Sequence, residues 1–265
     1  MERADGRADR AMTLDDRFGL RGKVAAVVGG AGSLGSTLAI AMAESGMRVT
    51  VLDRVQPPAR LRRQFRKREI VHLRVDATRK ADLIRCRNRI LKSHGRVDLL
   101  FNGAGTNAPT PCLDIAEAEF ERIMRVNVLS TLYGCQVFGG HMLKQRAGSI
   151  INVASVSIGP PLSKAFIYSA AKAGVFNLTQ NFAREWAPSG VRVNALRPGF
   201  FPTAWSLKHF IDARRRHNIL AHTPMGRFGK PDELIGAVLW LASDAAGFVT
   251  GSLVTVDGGF TAMTL

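Results

Sequence analysis

Short β-branched runs alternate along the chain with longer segments of helical period, and this alternation restricts the fold more than any other feature. The runs, in order, are KVAAVV, MRVTVLD, IVHLRVD, VDLLFNGAG, GSIINVAS, VRVNALRPG and SLVTVDGG. Repetition of strand, helix and strand is typical of βαβ units, which build a parallel sheet with helices on both faces. Runs without polar residues, such as VAAVV, agree because parallel strands are buried on both sides. The predicted class is α/β with a doubly wound sheet.

Length and composition favour one domain. A chain of 265 residues with 46% hydrophobic content can bury one substantial core. We predict a single domain over residues 19–265, preceded by a disordered tail over residues 1–18, because the tail mixes charges and lacks the apolar core of a signal peptide. No run approaches the ~18 apolar residues of a membrane span. The expected location is the cytoplasm.

The cysteines do not indicate a disulfide framework or a metal site. Cys86, Cys112 and Cys135 are odd in number, and no pair has CxxC spacing. We expect buried or reduced thiols and no bound metal.

Positive charge is concentrated in one part of the chain. The formal net charge is +16, and Arg54 to Arg96 contain 15 Lys and Arg against three carboxylates. Such a surface attracts nucleic acid, acidic proteins or anionic substrates. Aromatic side chains for base stacking are almost absent there, since Phe65 is the only one. A solvated basic face is an equally good interpretation, and nucleic-acid binding is not favoured.

A glycine-rich loop directly follows the first predicted strand. The sequence VGGAGSLG contains Gly29, Gly30, Gly32 and Gly35. Glycine allows a tight turn and lets backbone N–H groups approach a pyrophosphate at a helix N-terminus, where the helix dipole favours negative charge. The strand before the loop, the helix after it and Asp53, 18 residues beyond Gly35, predict a dinucleotide-binding site.

Asp53 also bears on the choice of dinucleotide. A carboxylate at the end of the second strand accepts the hydroxyls of the adenine ribose and repels a 2′-phosphate, which favours NAD. Arg54 is next in the chain and has the charge to hold that phosphate, so NADP stays open.

The sequence YSAAK places Tyr168 and Lys172 four residues apart in a predicted helix, so both side chains share one face. An isolated phenol has a pKa of about 10, and a nearby cation favours the phenolate, so we expect Lys172 to bring the pKa of Tyr168 down. Ser155 ends a strand 13 residues earlier and can donate to a substrate carbonyl. A dinucleotide loop, a serine and an activated tyrosine together predict hydride transfer coupled to proton transfer.

The alternation has one long interruption, over residues 200–223, before the last strand. It contains Trp205 and the consecutive Arg214, Arg215 and Arg216. A segment between the last two strands lies at their carboxyl ends, where ligands bind in open α/β folds. We predict that it forms a lid over the site.

These motifs, in their order and spacing, resemble the classical short-chain dehydrogenase/reductase family from about Gly22 to Gly259. VGGAGSLG resembles the family's TGxxxGxG, NGAG its NNAG, and VNV its helix-borne asparagine. RPGFFPT resembles PGxxxT, and TGSLVTVDGG resembles the usual last strand and turn. The resemblance implies a single Rossmann-type, doubly wound sheet of seven parallel strands with helices on both faces.

The resemblance also implies roles for individual residues. Tyr168 would be the general acid/base, and Lys172 would hold the nicotinamide ribose. Ser155 would orient the carbonyl, and Asn127 would position a water that links Lys172 to solvent. The residues that would contact the cofactor are Gly29, Ser33, Leu34, Gly35, Asp53, Asp76, Ala77, Asn102, Ala104, Tyr168, Lys172, Pro198, Gly199, Phe201 and Thr203.

Three positions depart from the family pattern. Val28 replaces the usual threonine, Ser33 replaces the middle glycine, and Gly103 replaces the second asparagine of NNAG. These changes affect cofactor affinity but not the four predicted catalytic residues, so we expect an active enzyme.

The C-terminal third resembles the sugar-acid branch of the family, the mannonate, fructuronate and gluconate oxidoreductases. The substrate would be a polyhydroxy carboxylate interconverted with its keto form. Arginine binds a carboxylate through a planar two-donor fork, so Arg214, Arg215 and Arg216 are the predicted substrate clamp, with Ser155 and Tyr168 at the carbonyl.

Two alternatives stay open. A 3-oxoacyl-carrier-protein reductase has the same catalytic set and an acidic partner, although Asp53 does not suit the NADPH that such reductases generally use. The other is a non-catalytic nucleotide-sensing or nucleic-acid-binding protein that uses the basic helices.

Family members pair through the helices that carry Asn127 and Tyr168, so the resemblance implies a homo-oligomer, a dimer or a tetramer.

Overall fold

The computed structural model describes residues 13–263, apart from the side chains of residues 204, 205 and 209. Within that part of the chain seven strands form one sheet, and they are β1 (Val24–Val28), β2 (Arg48–Asp53), β3 (Val71–Arg74), β4 (Leu99–Asn102), β5 (Gly148–Val153), β6 (Val191–Pro198) and β7 (Leu253–Val256). Neighbouring strands are parallel, in the order β3-β2-β1-β4-β5-β6-β7. The predicted seven-stranded parallel sheet is confirmed.

Helices cover both faces of the sheet. They are α1 (Leu14–Phe18), α2 (Ser33–Glu44), α3 (Ala59–Lys67), α4 (Lys80–His94), α5 (Glu117–Met124), α6 (Ser130–Gly134), α7 (Gly140–Gln145), α8 (Phe166–Trp186), α9 (Ala204–His209), α10 (Ala213–Ala221) and α11 (Ile235–Ala242). Helices α2, α3 and α11 form one layer, and α4 to α8 form the other. None of the helices in residues 13–263 is both long and apolar enough to cross a membrane.

The two layers enclose separate cores because successive side chains of a strand point to opposite faces. In β1, where every residue is buried, Val27 packs on one side with Leu38 and Leu241. Its neighbour Val28 packs on the other side with Phe138. Burial on both faces explains why the strands are nearly continuous apolar runs.

The N-terminal segment differs in part from its prediction. Residues 1–12 of the predicted disordered tail lie outside the described residues. The rest is not disordered, since Leu14–Phe18 form α1. Thr13 Oγ1 accepts from the Asp16 backbone N–H at 3.1 Å, and Asp16 accepts from the Thr13 backbone N–H at 3.0 Å. This capping box fixes the start of the helix. The sequence analysis considered only the mixed charges of this stretch and did not recognise the box.

The strand order creates the crevice in which a ligand can bind. From β1 the chain first moves outward to β2 and β3, then returns to β4 on the other side. Loops after β1 and β4 therefore diverge at the carboxyl edge of the sheet and leave an opening between them. Residues 200–223, predicted as a lid, supply α9 and α10 at this same edge, since they follow β6.

Candidate active site

The end of β5 and the first turns of α8 bring together three of the residues predicted to be catalytic. Ser155, Tyr168 and Lys172 all line one cavity of about 410 Å³, the catalytic cavity. Ser155 Oγ accepts a hydrogen bond from the Ser157 backbone N–H at 3.1 Å, which orients the hydroxyl. Lys172 Nζ lies 5.6 Å from the centroid of the Tyr168 ring, as expected for one helical turn.

Burial controls the ionisation of both groups on α8. Lys172 is 2% exposed, and burial lowers the pKa of its ammonium to about 8. Burial raises the pKa of the Tyr168 phenol, and a hydrogen bond with Ser155 opposes this effect. The prediction that Lys172 brings the Tyr168 pKa down is wrong for this structure. Burial outweighs the other effects, and the ammonium donates to the Val153 carbonyl at 2.7 Å.

Asn127 lies next to these groups in an irregular part of its helix. The chain from α5 to α6 forms a π-helical turn over Arg125–Leu129, and such turns often occur at functional sites. Asn127 Nδ2 donates to the Thr106 carbonyl at 2.8 Å, whereas its buried Oδ1 has no partner. A Cβ added at Gly105 would lie 2.9 Å from this Oδ1 and 3.6 Å from Lys172 Nζ. Both polar atoms therefore border the same small space.

Glycine at two positions of the loop, Gly29 and Gly35, allows neighbouring backbone segments to come into close contact. Gly29 has a φ of 76°, which residues with a side chain rarely adopt, and a Cβ there would lie 2.7 Å from the Ala104 backbone nitrogen. A Cβ at Gly35 would overlap the Gly29 carbonyl oxygen. The loop and the start of α2 thus come close only because both residues are glycine. This geometry fits the pyrophosphate of a dinucleotide at the N-terminus of α2.

A second cavity, of about 600 Å³, extends from this loop along the ends of β2 and β4. Asp53 lies in its wall and is held by two backbone donors, Ala31 N–H at 3.0 Å to Oδ2 and Val55 N–H at 3.0 Å to Oδ1. Arg54 and Asp76 line the same cavity. The shape and the carboxylate suit the adenosine half of a dinucleotide, so the predicted cofactor fits the residues present.

Most residues predicted to contact the cofactor line one of these two cavities. They are Gly29, Ser33, Leu34, Gly35, Asp53, Asp76, Ala77, Ala104, Tyr168, Lys172, Gly199, Phe201 and Thr203.

Two residues of that prediction, Asn102 and Pro198, line neither cavity. Asn102 is 3% exposed, and its Nδ2 donates to Asn152 Oδ1 at 2.9 Å. Asn152 in turn donates to Thr179 Oγ1 on α8 at 3.0 Å. Asn102 therefore links the sheet to the catalytic helix instead of facing the cleft. Pro198 is buried at the end of β6.

One departure from the family pattern has a local explanation. A Cβ at Gly103 would lie 2.5 Å from Cε1 of Phe101. Phe101 is 1% exposed and belongs to the core beside β1. Glycine at position 103 therefore makes room for a large aromatic ring in β4. Val28, the second departure, is 2% exposed and is part of the opposite core.

The three arginines of the predicted clamp point in different directions. Arg215 lines the catalytic cavity with Ser155 and Tyr168. Arg214 lines a neighbouring cavity but not the catalytic one. Arg216 is exposed and lies 5.4 Å from the centroid of the Phe228 ring, outside both cavities. Only Arg215 is placed as the prediction requires.

Several residues of the catalytic cavity were missed by the sequence analysis. Leu162, Ile211 and Phe200 form part of its wall. Ser163 holds the Arg215 guanidinium, with its carbonyl accepting from Nη2 at 2.8 Å and its hydroxyl accepting from Nη1. Nothing in their local sequence distinguishes these residues, because the chain brings them together from separate loops.

The fold and the site together define a class of protein. A glycine loop and an acidic ribose site adjoin a serine, a tyrosine and a buried lysine at one edge of a parallel sheet. This arrangement is that of an NAD(P)-dependent oxidoreductase acting on CH–OH groups and the corresponding carbonyls.

Comparison with known proteins gives the family. Residues 29–261 match the family model described as enoyl-(acyl carrier protein) reductase. The chain is 38% identical to the uncharacterized oxidoreductase UxuB of Bacillus subtilis, over 92% of this chain and 96% of that protein. It is 34% identical to a galactitol 2-dehydrogenase of Rhizobium johnstonii, over 94% and 99% of the two chains.

A solved structure agrees with these relatives. It is a gluconate 5-dehydrogenase from Burkholderia cenocepacia in complex with NADP and tartrate, with 33% identity, a TM-score of 0.88 and coverage of 94% of this chain and 99% of that one. The protein belongs to the short-chain dehydrogenase/reductase family.

Proposed function

We propose that this oxidoreductase interconverts a sugar acid and its keto form, with NAD as the preferred cofactor. The observation that carries the proposal is Arg215, a guanidinium in the wall of the cavity that also holds Ser155 and Tyr168. Arginine binds a carboxylate through two parallel N–H donors, and Ser163 limits the mobility of this one. The gluconate 5-dehydrogenase among the similar structures supports the same substrate class.

The roles of the catalytic residues follow from their positions. A bound nicotinamide supplies the acceptor or donor of the hydride. Ser155 donates to the substrate oxygen and keeps it next to Tyr168. In the oxidation direction the Tyr168 oxygen takes the hydroxyl proton while the carbon loses its hydride, and in reduction the phenol returns that proton. Lys172 places positive charge next to the phenol.

Asn127 completes the proton path in this proposal. Its unpartnered Oδ1 and the ammonium of Lys172 border one space beside Gly105. A water in that space would accept from Lys172 and donate to Asn127, which satisfies the buried oxygen.

The preference for NAD rests on Asp53. Its carboxylate is fixed by two backbone donors at the end of β2, where the adenine ribose of a dinucleotide lies. A 2′-phosphate there would meet a negative charge that cannot turn away. Arg54, exposed in the same cavity, offsets part of that repulsion and keeps NADP as a weaker alternative.

A panel of substrates with matched arginine variants tests the proposal. NADH consumption is followed with keto-sugar acids, neutral ketoses, simple ketones and an acetoacetyl thioester. We expect turnover with the acids, and we expect Arg215→Gln to raise their KM by about tenfold or more, because it removes a charge-assisted hydrogen bond. Arg216→Gln is the matched control, since it removes the same charge one residue away and outside the cavity.

Two further variants identify the site of reaction. Tyr168→Phe removes the proposed acid/base, whereas Tyr133→Phe removes the chain's other phenol on α6. Turnover restricted to the thioester would favour the acyl-carrier alternative, and equal KM values for Arg215→Gln and wild type would refute the clamp.

Assembly and location complete the proposal. Phe120 on α5 and Phe166 on α8 are 45% and 61% exposed, beside the helices through which the family pairs. Large exposed aromatic side chains on neighbouring elements favour a buried interface. We propose a homotetramer in the cytoplasm, and a monomer by light scattering would contradict it.

A further inference from the structure

Beside the catalytic cavity is another cavity of about 620 Å³, here called the outer cavity, which the proposed reaction does not use. Leu162, Phe200 and Arg215 line both cavities, so the two are neighbours with a common wall. Helix α10 and the loop that contains Ser163 and Lys164 form most of the wall of the outer cavity.

The outer cavity has an excess of positive charge. Lys164 and Asp212 pair with each other at 3.2 Å, and Asp212 also accepts from the Arg215 backbone N–H at 2.7 Å as the cap of α10. The carboxylate is therefore already engaged. Arg214 is exposed, and within residues 13–263 its side chain makes no hydrogen bond or ion pair. Three cationic side chains, those of Lys164, Arg214 and Arg215, therefore line the cavity against the single carboxylate of Asp212.

The catalytic cavity is too crowded to hold a long substrate by itself. The glycine-loop residues Gly29, Ser33 and Leu34 line it, so the nicotinamide half of the cofactor must share its 410 Å³ with the substrate. The substrate chain can then extend past Arg215 toward the outer cavity. Leu162 and Phe200 form the apolar part of the wall shared by the two cavities.

We propose that the outer cavity is a subsite for a second anionic group, a carboxylate or a phosphate, at the end of the substrate remote from the reacting carbon. Arg214 is its principal cation, and Arg215 lies between the two ends. The inference rests on the proposed function, since it places the substrate's reacting carbon at Ser155 and Tyr168. Its preferred ligands are dianionic sugar acids rather than simple aldonates.

Calorimetric binding to the NADH-saturated protein tests this directly, because the ligands are alcohols and a reduced cofactor cannot oxidise them. The ligands share one six-carbon skeleton. Glucitol has no anionic group, gluconate has one carboxylate, glucarate has two, and 6-phosphogluconate has a carboxylate and a phosphate. We expect glucarate and 6-phosphogluconate, the two ligands with a second anionic group, to bind about tenfold more tightly than gluconate, the size of effect expected for one added charge-assisted contact. The comparison of glucarate with 6-phosphogluconate identifies which anion the subsite prefers.

Variants of neighbouring arginines show which side chain is responsible for the tighter binding of ligands with two anionic groups. Arg214→Gln is expected to remove the tenfold advantage of the two ligands with a second anionic group, and Arg216→Gln is expected to keep it, because Arg216 lies outside both cavities. Equal affinities for gluconate and these two ligands, or an advantage that survives in Arg214→Gln, would overturn the proposal. Binding is measured separately from turnover, so an enzyme that binds these two ligands tightly but oxidises or reduces no sugar acid would contradict the proposed function alone.

Discussion

The ammonium of Lys172 donates to the carbonyl of Val153 at 2.7 Å and thereby ties the catalytic helix to the strand that ends before Ser155. One buried ammonium therefore holds α8, which carries Tyr168, next to the end of β5, which precedes Ser155. Lys172 is removed from solvent, and this burial lowers its pKa to about 8. This contact has consequences for stability as well as for catalysis.

The stability of the fold should depend on pH through Lys172. The unfolded chain keeps this proton up to the ordinary lysine pKa of about 10.4, whereas the folded protein releases it near pH 8. Between these values the unfolded state binds more protons, so the free energy of unfolding rises with pH, by about 3 kcal/mol for this group. Denaturant titrations of wild type and Lys172→Met across that range measure the difference. Parallel pH curves for the two proteins would contradict the assignment.

Ser155 should influence the limb of the rate profile on which alcohol oxidation rises with pH. Its hydrogen bond lowers the pKa of Tyr168 against the raising effect of burial. In Ser155→Ala the phenol should therefore ionise at a higher pH, and the rise of kcat/KM for alcohol oxidation should move in the same direction. Ser157→Ala is the control, because its backbone N–H, and not its side chain, contacts Ser155. A limb that moves equally in both variants would refute the prediction.

Cofactor preference should respond to the charge at position 53. Asp53→Asn keeps an acceptor for one of the two backbone N–H groups and removes the charge that opposes a 2′-phosphate. We expect the ratio of NADH to NADPH affinity to fall by about tenfold, the effect of relieving a like-charge contact. Fluorescence titration with both cofactors measures the ratio. Arg54→Ala should raise the ratio of NADH to NADPH affinity. An unchanged ratio in both variants would show that neither side chain distinguishes the two cofactors.

Close packing of the glycine loop should make Gly35 intolerant of a side chain. A Cβ at Gly35 overlaps the Gly29 carbonyl, so Gly35→Ala must displace the loop and weaken NADH binding. Gly236 on α11 has nothing within 4 Å of an added Cβ. Gly236→Ala should keep NADH affinity and stabilise the fold by about 0.5–1 kcal/mol, since alanine is the better helix former. Thermal unfolding and NADH titration of both variants distinguish a steric clash at Gly35 from a general effect of replacing glycine by alanine.

The sequence by itself determined the features that depend on local pattern. Alternating runs predicted a parallel sheet because a strand buried on both faces must be apolar throughout. The loop between Gly29 and Gly35 was recognisable because its backbone requires glycine. The spacing of Tyr168 and Lys172 predicted a shared helix face. Each of these conclusions follows from the geometry of one element and its immediate neighbours.

Tertiary structure decided the features that depend on how elements face each other. Strand periodicity cannot say which face of β4 meets α8, so the inward position of Asn102 was not predictable. Successive residues of a helix point about 100° apart, so consecutive arginines cannot all face one cavity. The packing of α10 against the loop at Ser163 places Arg215 in the wall of the catalytic cavity and Arg214 in the wall of the outer cavity. The pKa of Tyr168 likewise depends on burial by distant segments, which outweighs the adjacent serine.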